Sequence, residues 1–301
     1  MEGVDRLTTD GLAIFLFHGV VRQSRYAVRN YTGKHMERDR FYRIVEGLKH
    51  AGSALSMDDV VEHCRSGNPF PPRAFAVTFD DGFENNYLIA APILKEFSVP
   101  ATFYITTGFV QDNAMSWIDR IEYCLEAVSS GVLQFAWDDH PHSFANVEDK
   151  IGLLQMVRDR VKTDPTLDPE NVVQAVFDQC GVAAVSHSAE PIDQKMSWEQ
   201  VTRLANDELF TVGGHSHSHK ILSFLSAEEL EDEITTSIDL IRKNVGLCVR
   251  HYSYPEGLEH CYSNEVVEVL RGKGVVCCPT AVDGINDPQT DLFHLRRIMI
   301  T

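Results

Sequence analysis

The sequence predicts a (β/α) barrel of about seven parallel strands, interrupted by an inserted helical subdomain. Three observations lead there. Short apolar runs recur at 13–17, 75–79, 101–105, 210–212, 249–252, 275–278 and 295–300, each the length of a buried strand. Most are separated by amphipathic segments of helical period, which implies parallel pairing through right-handed crossovers. Between residues 110 and 195 this rhythm fails, because no convincing buried parallel strand occurs there.

The elements follow in chain order. A helix is expected over 38–50. A second opens at Ser56, where Asp59 completes a capping box. Residues 85–97 follow a glycine turn and contain Pro92, so a helix there should kink or start late. Inside the insertion, Trp117, Ile118, Ile121, Leu125 and Val128 form a helical stripe, and 132–144 reads as a hairpin. Helices are expected at 147–162 and 168–179, the second with Asp168 as N-cap and Pro169 in its first turn. Ser197 with Gln200, and Ser226 with Glu229, are two further capping boxes. Residues 1–301 are read as one barrel, with 110–195 inserted into it.

Composition narrows the function. The chain has 301 residues, 44% of them apolar and 24% charged, an ordinary globular balance with enough length for a large core. Its net charge of −17 argues against a nucleic-acid partner and against docking on anionic lipid. No apolar stretch approaches the roughly 20 residues of a membrane span. The opening residues lack the basic-then-apolar order of a secretory signal, so a cytoplasmic location is expected. The seven cysteines are scattered and odd in number, which suits reduced buried thiols better than a disulfide framework.

Three strand ends carry the chemistry. Asp80 and Asp81 sit at the end of the 75–79 strand, before Gly82. The C-terminal strand ends form the active face of a parallel barrel, and paired carboxylates there need a compensating cation or proton. Alone, the pair could equally be a helix cap with a turn. After the 210–212 strand come His215, His217 and His219. If that segment coils helically, His215 and His219 converge on one ion while His217 points away, and a carboxylate from the Asp80–Asp81 pair can complete the set. Two imidazoles and one carboxylate leave positions open, as in a catalytic rather than a structural metal site. After the 249–252 strand, Tyr252 to Gly257 form an aromatic, proline-containing loop whose backbone N–H groups could face an oxyanion.

Together and in this order, these residues resemble the polysaccharide deacetylases of the NodB-homology group, carbohydrate esterase family four. Thr78-Phe79-Asp80-Asp81-Gly82 looks like that family's first motif, and His215-Ser216-His217-Ser218-His219 like its second. Tyr252 to Gly257 resemble the third, Phe17-His18-Gly19-Val20 an opening strand, and Leu295-Arg296-Arg297-Ile298 a closing strand. The match covers residues 12–110 and 196–300; the insertion resembles nothing that informs function.

The resemblance implies a distorted (β/α)7-type barrel with one divalent metal ion, zinc by expectation. Asp81, His215 and His219 would be its ligands and Asp80 the general base. A backbone N–H near Tyr254, Pro255 and Glu256 would help hold the oxyanion. The implied reaction removes an N-acetyl group from an N-acetylated amino sugar or glycan precursor, giving acetate and a free amine. Other amide hydrolases on the same barrel, of cyclic-amide or allantoin type, and a catalytically weak glycan-binding barrel are the alternatives. Coupled with a cytoplasmic location, the reading points to lipid- or nucleotide-linked precursors, the former bringing the protein to a membrane through its substrate.

Two departures from the family pattern matter. The third motif normally carries an arginine that contacts the base, where this chain has Ser253, a neutral hydroxyl not expected to hold Asp80. Arg297 is the expected substitute, ahead of Arg250, placed inward with Phe293, Leu295 and Met299 by strand alternation. For the acid, His294 lies in an edge-like strand and reads as solvent-facing. His18 is the better-placed pocket histidine and is taken as catalytic. Trp117, Trp137 and Trp198 read as packing residues, and His140 and His142 as a surface hairpin.

Overall fold

The structure, a computed structural model, describes residues 2–301. Its strands are β1 (Leu12–Phe17), β2 (Gly19–Val21), β3 (His35–Glu37), β4 (Ser53–Ala54), β5 (Ala74–Phe79), β6 (Ala101–Ile105), β7 (Gly131–Leu133), β8 (His142–Phe144), β9 (Phe210–Gly214) and β10 (Ile298–Met299). The main sheet runs β10–β1–β5–β6–β9, all parallel. Every residue of β1, β5 and β6 is buried, as expected for strands covered on both faces. Because β1 pairs along all of β5, β4 and β6 share the other edge, β4 at Ala74 and Phe75 and β6 from Val77 to Phe79.

Beyond β9 the expected strands at 249–252 and 275–278 shrink to single parallel bridges, Gly214 with Tyr252 and His251 with Cys277. Hydrogen bonds then carry the ring onward. Cys278 N–H donates to the Leu292 carbonyl at 2.9 Å, Thr280 N–H to Leu295 at 2.8 Å, and Arg297 N–H to Val282 at 3.0 Å. The chain next enters β10, which pairs with β1. The result is a distorted (β/α)7-type barrel whose last positions are held by irregular backbone. That irregularity corrects one expectation: β10 is two residues long and Met299 is 48% exposed, while Phe293, Leu295 and Arg297 are buried.

The helices follow their sequence signals. Ser56, Ser197 and Ser226 each close a capping box with Asp59, Gln200 and Glu229. After Gly82 the chain makes a wide π-type turn over Asn86–Ala90 before the α-helix Ala91–Glu96, with Pro92 in its first turn.

Between β6 and β9, which are neighbours in the sheet, the chain leaves the barrel and returns. It builds helices α1 (Trp117–Ala127), α2 (Val147–Thr163) and α3 (Pro169–Cys180) and the antiparallel hairpin β7–β8. Ile121, Leu125, Leu154, Val157, Val173 and Phe177 form a core of their own, which Val28 of the loop between β2 and β3 joins. The insertion thus sits over the loop that follows β1, at the same end as the Asp80–Asp81 strand terminus.

Candidate active site

At the end of β5, Asp81 adopts φ 75°, and Gly82 follows at φ 86°. A Cβ at Gly82 would meet Ile105 and Val110 at 3.2 Å, so the turn that presents Asp81 depends on that glycine. Ser216 (φ 63°), His219 (φ 61°) and Glu256 (φ 61°) are also left-handed, so four non-glycine residues in this region adopt a disfavoured backbone conformation.

The histidine segment is not helical, which corrects the sequence expectation. A left-handed turn at Ser216 brings the two imidazoles together, and the Ser216 hydroxyl accepts from the His219 N–H at 2.9 Å. The buried Tyr252 hydroxyl accepts from the Ser216 N–H at 2.8 Å and pins the turn. His217 points away and packs its ring nitrogen 3.0 Å from the Thr107 hydroxyl.

Asp81, His215 and His219 converge, with one ligand atom from each lying within 4.8 Å of the others. His219 Nε2 is 3.3 Å and His215 Nε2 3.7 Å from Asp81 Oδ1. That oxygen is buried and has no hydrogen-bond partner among the described residues. His215 Nδ1 lies 2.9 Å from the Ser253 carbonyl, which accepts its N–H and leaves Nε2 as a lone pair facing Asp81. Burial also lowers the His215 pKa, so the imidazole is neutral, as a metal ligand must be. An orphaned carboxylate oxygen and a pre-set imidazole tautomer fit a divalent ion.

Asp80 faces the same centre, 3.9 Å from His215 Nε2. Arg297 grips it with both arms, at 2.9 Å to Oδ1 and 2.8 Å to Oδ2, and anchors itself by donating to the Thr280 carbonyl at 2.6 Å. Burial is the largest single influence and would raise the Asp80 pKa, but the charge and hydrogen bonds of Arg297, with His215 and His18, together outweigh it and hold the carboxyl below its ordinary value. Arg250 is at the surface with Asp58. Ser253 corrects a second expectation: its hydroxyl does contact Asp80 Oδ1, at 3.2 Å, and also lies 2.7 Å from His215 Nδ1. A neutral hydroxyl therefore links the two groups, while the charge comes from the other end of the chain.

His18, beyond the end of β1, lines the same cleft. Its ring makes no hydrogen bond among the described residues, and burial pushes its pKa down to about 4 against the opposing pull of Asp81 and Asp80. His294 is exposed beside Asp291. In the third-motif loop, the Tyr254 side chain points into the barrel wall and its hydroxyl donates to the Phe293 carbonyl at 3.1 Å. Pro255 has no N–H, so the loop's donors are the Tyr254 and Glu256 amides, neither of which pairs with a carbonyl among the described residues. The Glu256 side chain reaches the cleft and ion-pairs with Lys162 of α2.

Several cleft residues were not singled out from the sequence. Lys34, Trp117 and Arg158 line it, the last two from the insertion. Trp117, read as a packing residue, does pack half-buried against the insertion core, and it also lines the cleft wall. Lys34 ion-pairs with Asp119, whose backbone N–H donates to the Ser116 hydroxyl that caps the first turn of α1. Burial, reinforced by Asp119, pushes Glu122 up to about 7, and burial pushes Lys195 down to about 8. Past His219 and Glu256 the cleft opens into a groove lined by Phe109, Trp117, Leu167 and Phe224.

A family model described as polysaccharide deacetylase matches residues 67–150 and 161–277 of this chain. Over 123 residues the chain is 29% identical to the poly-beta-1,6-N-acetyl-D-glucosamine N-deacetylase of Staphylococcus aureus strain MSSA476, a stretch that covers 40% of each protein. The matched stretch therefore spans less than half of that relative. IcaB from Ammonifex degensii superimposes with a TM-score of 0.64 at 18% identity, over 98% of this chain and 94% of that one. The Streptococcus pyogenes deacetylase PplD, solved with acetate, gives 0.61 at 16% identity, over 97% and 93%. Those two likenesses establish a shared fold, and the family match extends over most of the barrel; the chain belongs to the polysaccharide deacetylase family.

Proposed function

We propose that this chain is a zinc-dependent N-deacetylase that hydrolyses the acetamide of an N-acetylated amino sugar within a glycan or glycan precursor. One observation carries the reading: Asp81, His215 and His219 converge on a point beside an Asp80 that is ionised and fixed by Arg297. The relative named for poly-beta-1,6-N-acetyl-D-glucosamine supports an N-acetylglucosamine substrate.

Asp81, His215 and His219 would hold the ion, which when bound supplies Lewis acidity toward a water and the acetyl carbonyl. Asp80 accepts a proton from the attacking water as its oxygen bonds to the acetyl carbon. Arg297 holds both carboxylate oxygens of Asp80 with two hydrogen bonds, so the base keeps one orientation. The Tyr254 and Glu256 amides are the free backbone donors for the developing oxyanion. As the C–N bond breaks, the amine leaves with a proton. The proton it takes is the one Asp80 removed from the water, and His18, whose neutral ring lines the same cleft and is committed to no other partner, is the group that relays it. The groove beyond His219 accommodates the rest of the substrate.

The test is acetate release from N-acetylglucosamine oligomers by zinc-loaded protein. Release that chelation abolishes and zinc restores supports the reading; no release from any N-acetylated sugar overturns it.

A further inference from the structure

The charges that line or support the cleft are almost all paired. Lys34 pairs with Asp119, Lys162 with Glu256, and Arg297 with Asp80. Arg158 is the exception: it lines the cleft together with Asp80, Asp81 and the two imidazoles, and it forms no direct ion pair among the described residues, although Glu256 and Glu122 act on it from a distance. Its nearest acidic influence is Glu256, whose carboxylate is already taken by Lys162, and the Tyr31 hydroxyl is beside it.

Its position is built rather than incidental. Leu154, Val157 and Val161 of α2 are buried in the insertion core, which fixes the helix and turns Arg158, the residue after Val157, toward the cleft. Val161 and Lys162, one turn on, face the adjoining groove. Glu256, Tyr31 and Glu122 nearby keep the half-buried guanidinium charged, but no carboxylate engages its fork, so those donors are open to an anion on a ligand. This planar fork suits a phosphate or carboxylate, which it can hold by two parallel hydrogen bonds.

We infer that Arg158 is a specificity residue for an anionic group on the substrate, so that the amino sugar deacetylated here carries a phosphate or a carboxylate near the acetamide. This rests on the deacetylase reading for its reaction, but binding tests it separately. Phosphate and carboxylate share the required chemistry, and two arms of the experiment distinguish them.

The experiment compares N-acetylglucosamine, N-acetylglucosamine 1-phosphate and a carboxylated N-acetyl amino sugar as ligands and as substrates. Wild-type protein, Arg158→Ala and Arg158→Lys are each followed by calorimetric Kd and by kcat/KM for acetate release. The preference for a charged over the neutral sugar should fall roughly 10- to 100-fold in Arg158→Ala, the range for losing a charge-assisted hydrogen bond, and recover in part in Arg158→Lys. Whichever charged sugar shows that fall identifies the group. An equal effect on neutral and charged sugars, or no preference in wild type, overturns the inference. If no sugar releases acetate yet the Arg158-dependent preference persists in Kd, the deacetylase reading fails and the anion site stands. If neither readout depends on Arg158, the site falls too.

Discussion

Arg297 and Asp80, 217 residues apart, form a buried bidentate ion pair with hydrogen bonds of 2.9 and 2.8 Å. It closes the barrel chemically as well as geometrically, because Arg297 stands just before β10, which pairs with β1, which in turn pairs with β5. The serine at the third motif and the arginine at the end of the chain are two halves of one arrangement.

Removing one partner of such a pair leaves an uncompensated buried charge. Arg297→Ala should destabilise the fold by about 3–5 kcal/mol, measured by urea unfolding. Arg297→Lys keeps the charge but loses the fork and should fall between. A full-stability Arg297→Ala would mean that Asp80 is protonated or otherwise satisfied.

Asp80→Asn should retain the bound ion and lose roughly 100-fold or more in turnover, the usual consequence of removing a general base. Metal analysis and acetate release on the same preparation check it. Were Asp80→Asn to empty the site while Asp81→Asn kept the ion, the roles of the two carboxylates would be exchanged.

Much of this pairing is legible in the sequence, for physical reasons that differ by residue. Asp80, Asp81, His215 and His219 follow buried strands, so their end of the barrel is fixed by local pattern alone. Arg297 is found by asking what compensates a buried carboxylate. Ser253 is misjudged because a hydroxyl's reach to Asp80 and His215 depends on backbone closing the barrel irregularly at 251–253. Lys34, Trp117 and Arg158 stay hidden because they reach the cleft only when the insertion packs over the loop after β1. Nothing in their own sequence neighbourhoods reports that contact.

That same packing makes a pH-dependent contribution to stability. Burial and then Asp119 raise Glu122 to about 7, partly opposed by Lys34 and Arg158, while the Asn30 N–H donates to it at 2.9 Å. A carboxyl whose folded pKa exceeds its unfolded value binds more protons when folded, so its contribution is full below about 4.3. It is lost as pH rises through about 7. Glu122→Gln should therefore lose little stability at pH near 4 and gain relative to wild type at pH 8. Urea midpoints of the two proteins across that range check it, and parallel profiles would contradict it.

The most direct test of the whole account is a single comparison of zinc content and acetate release in wild-type protein and in His215→Ala, His219→Ala and Asp81→Asn. We expect about one ion per chain in wild type, as three-ligand catalytic sites hold, with acetate released from N-acetylglucosamine oligomers. Each variant should lose both the ion and the activity. Acetate release that survives loss of the ion, or full ion content and activity in all three variants, would contradict it.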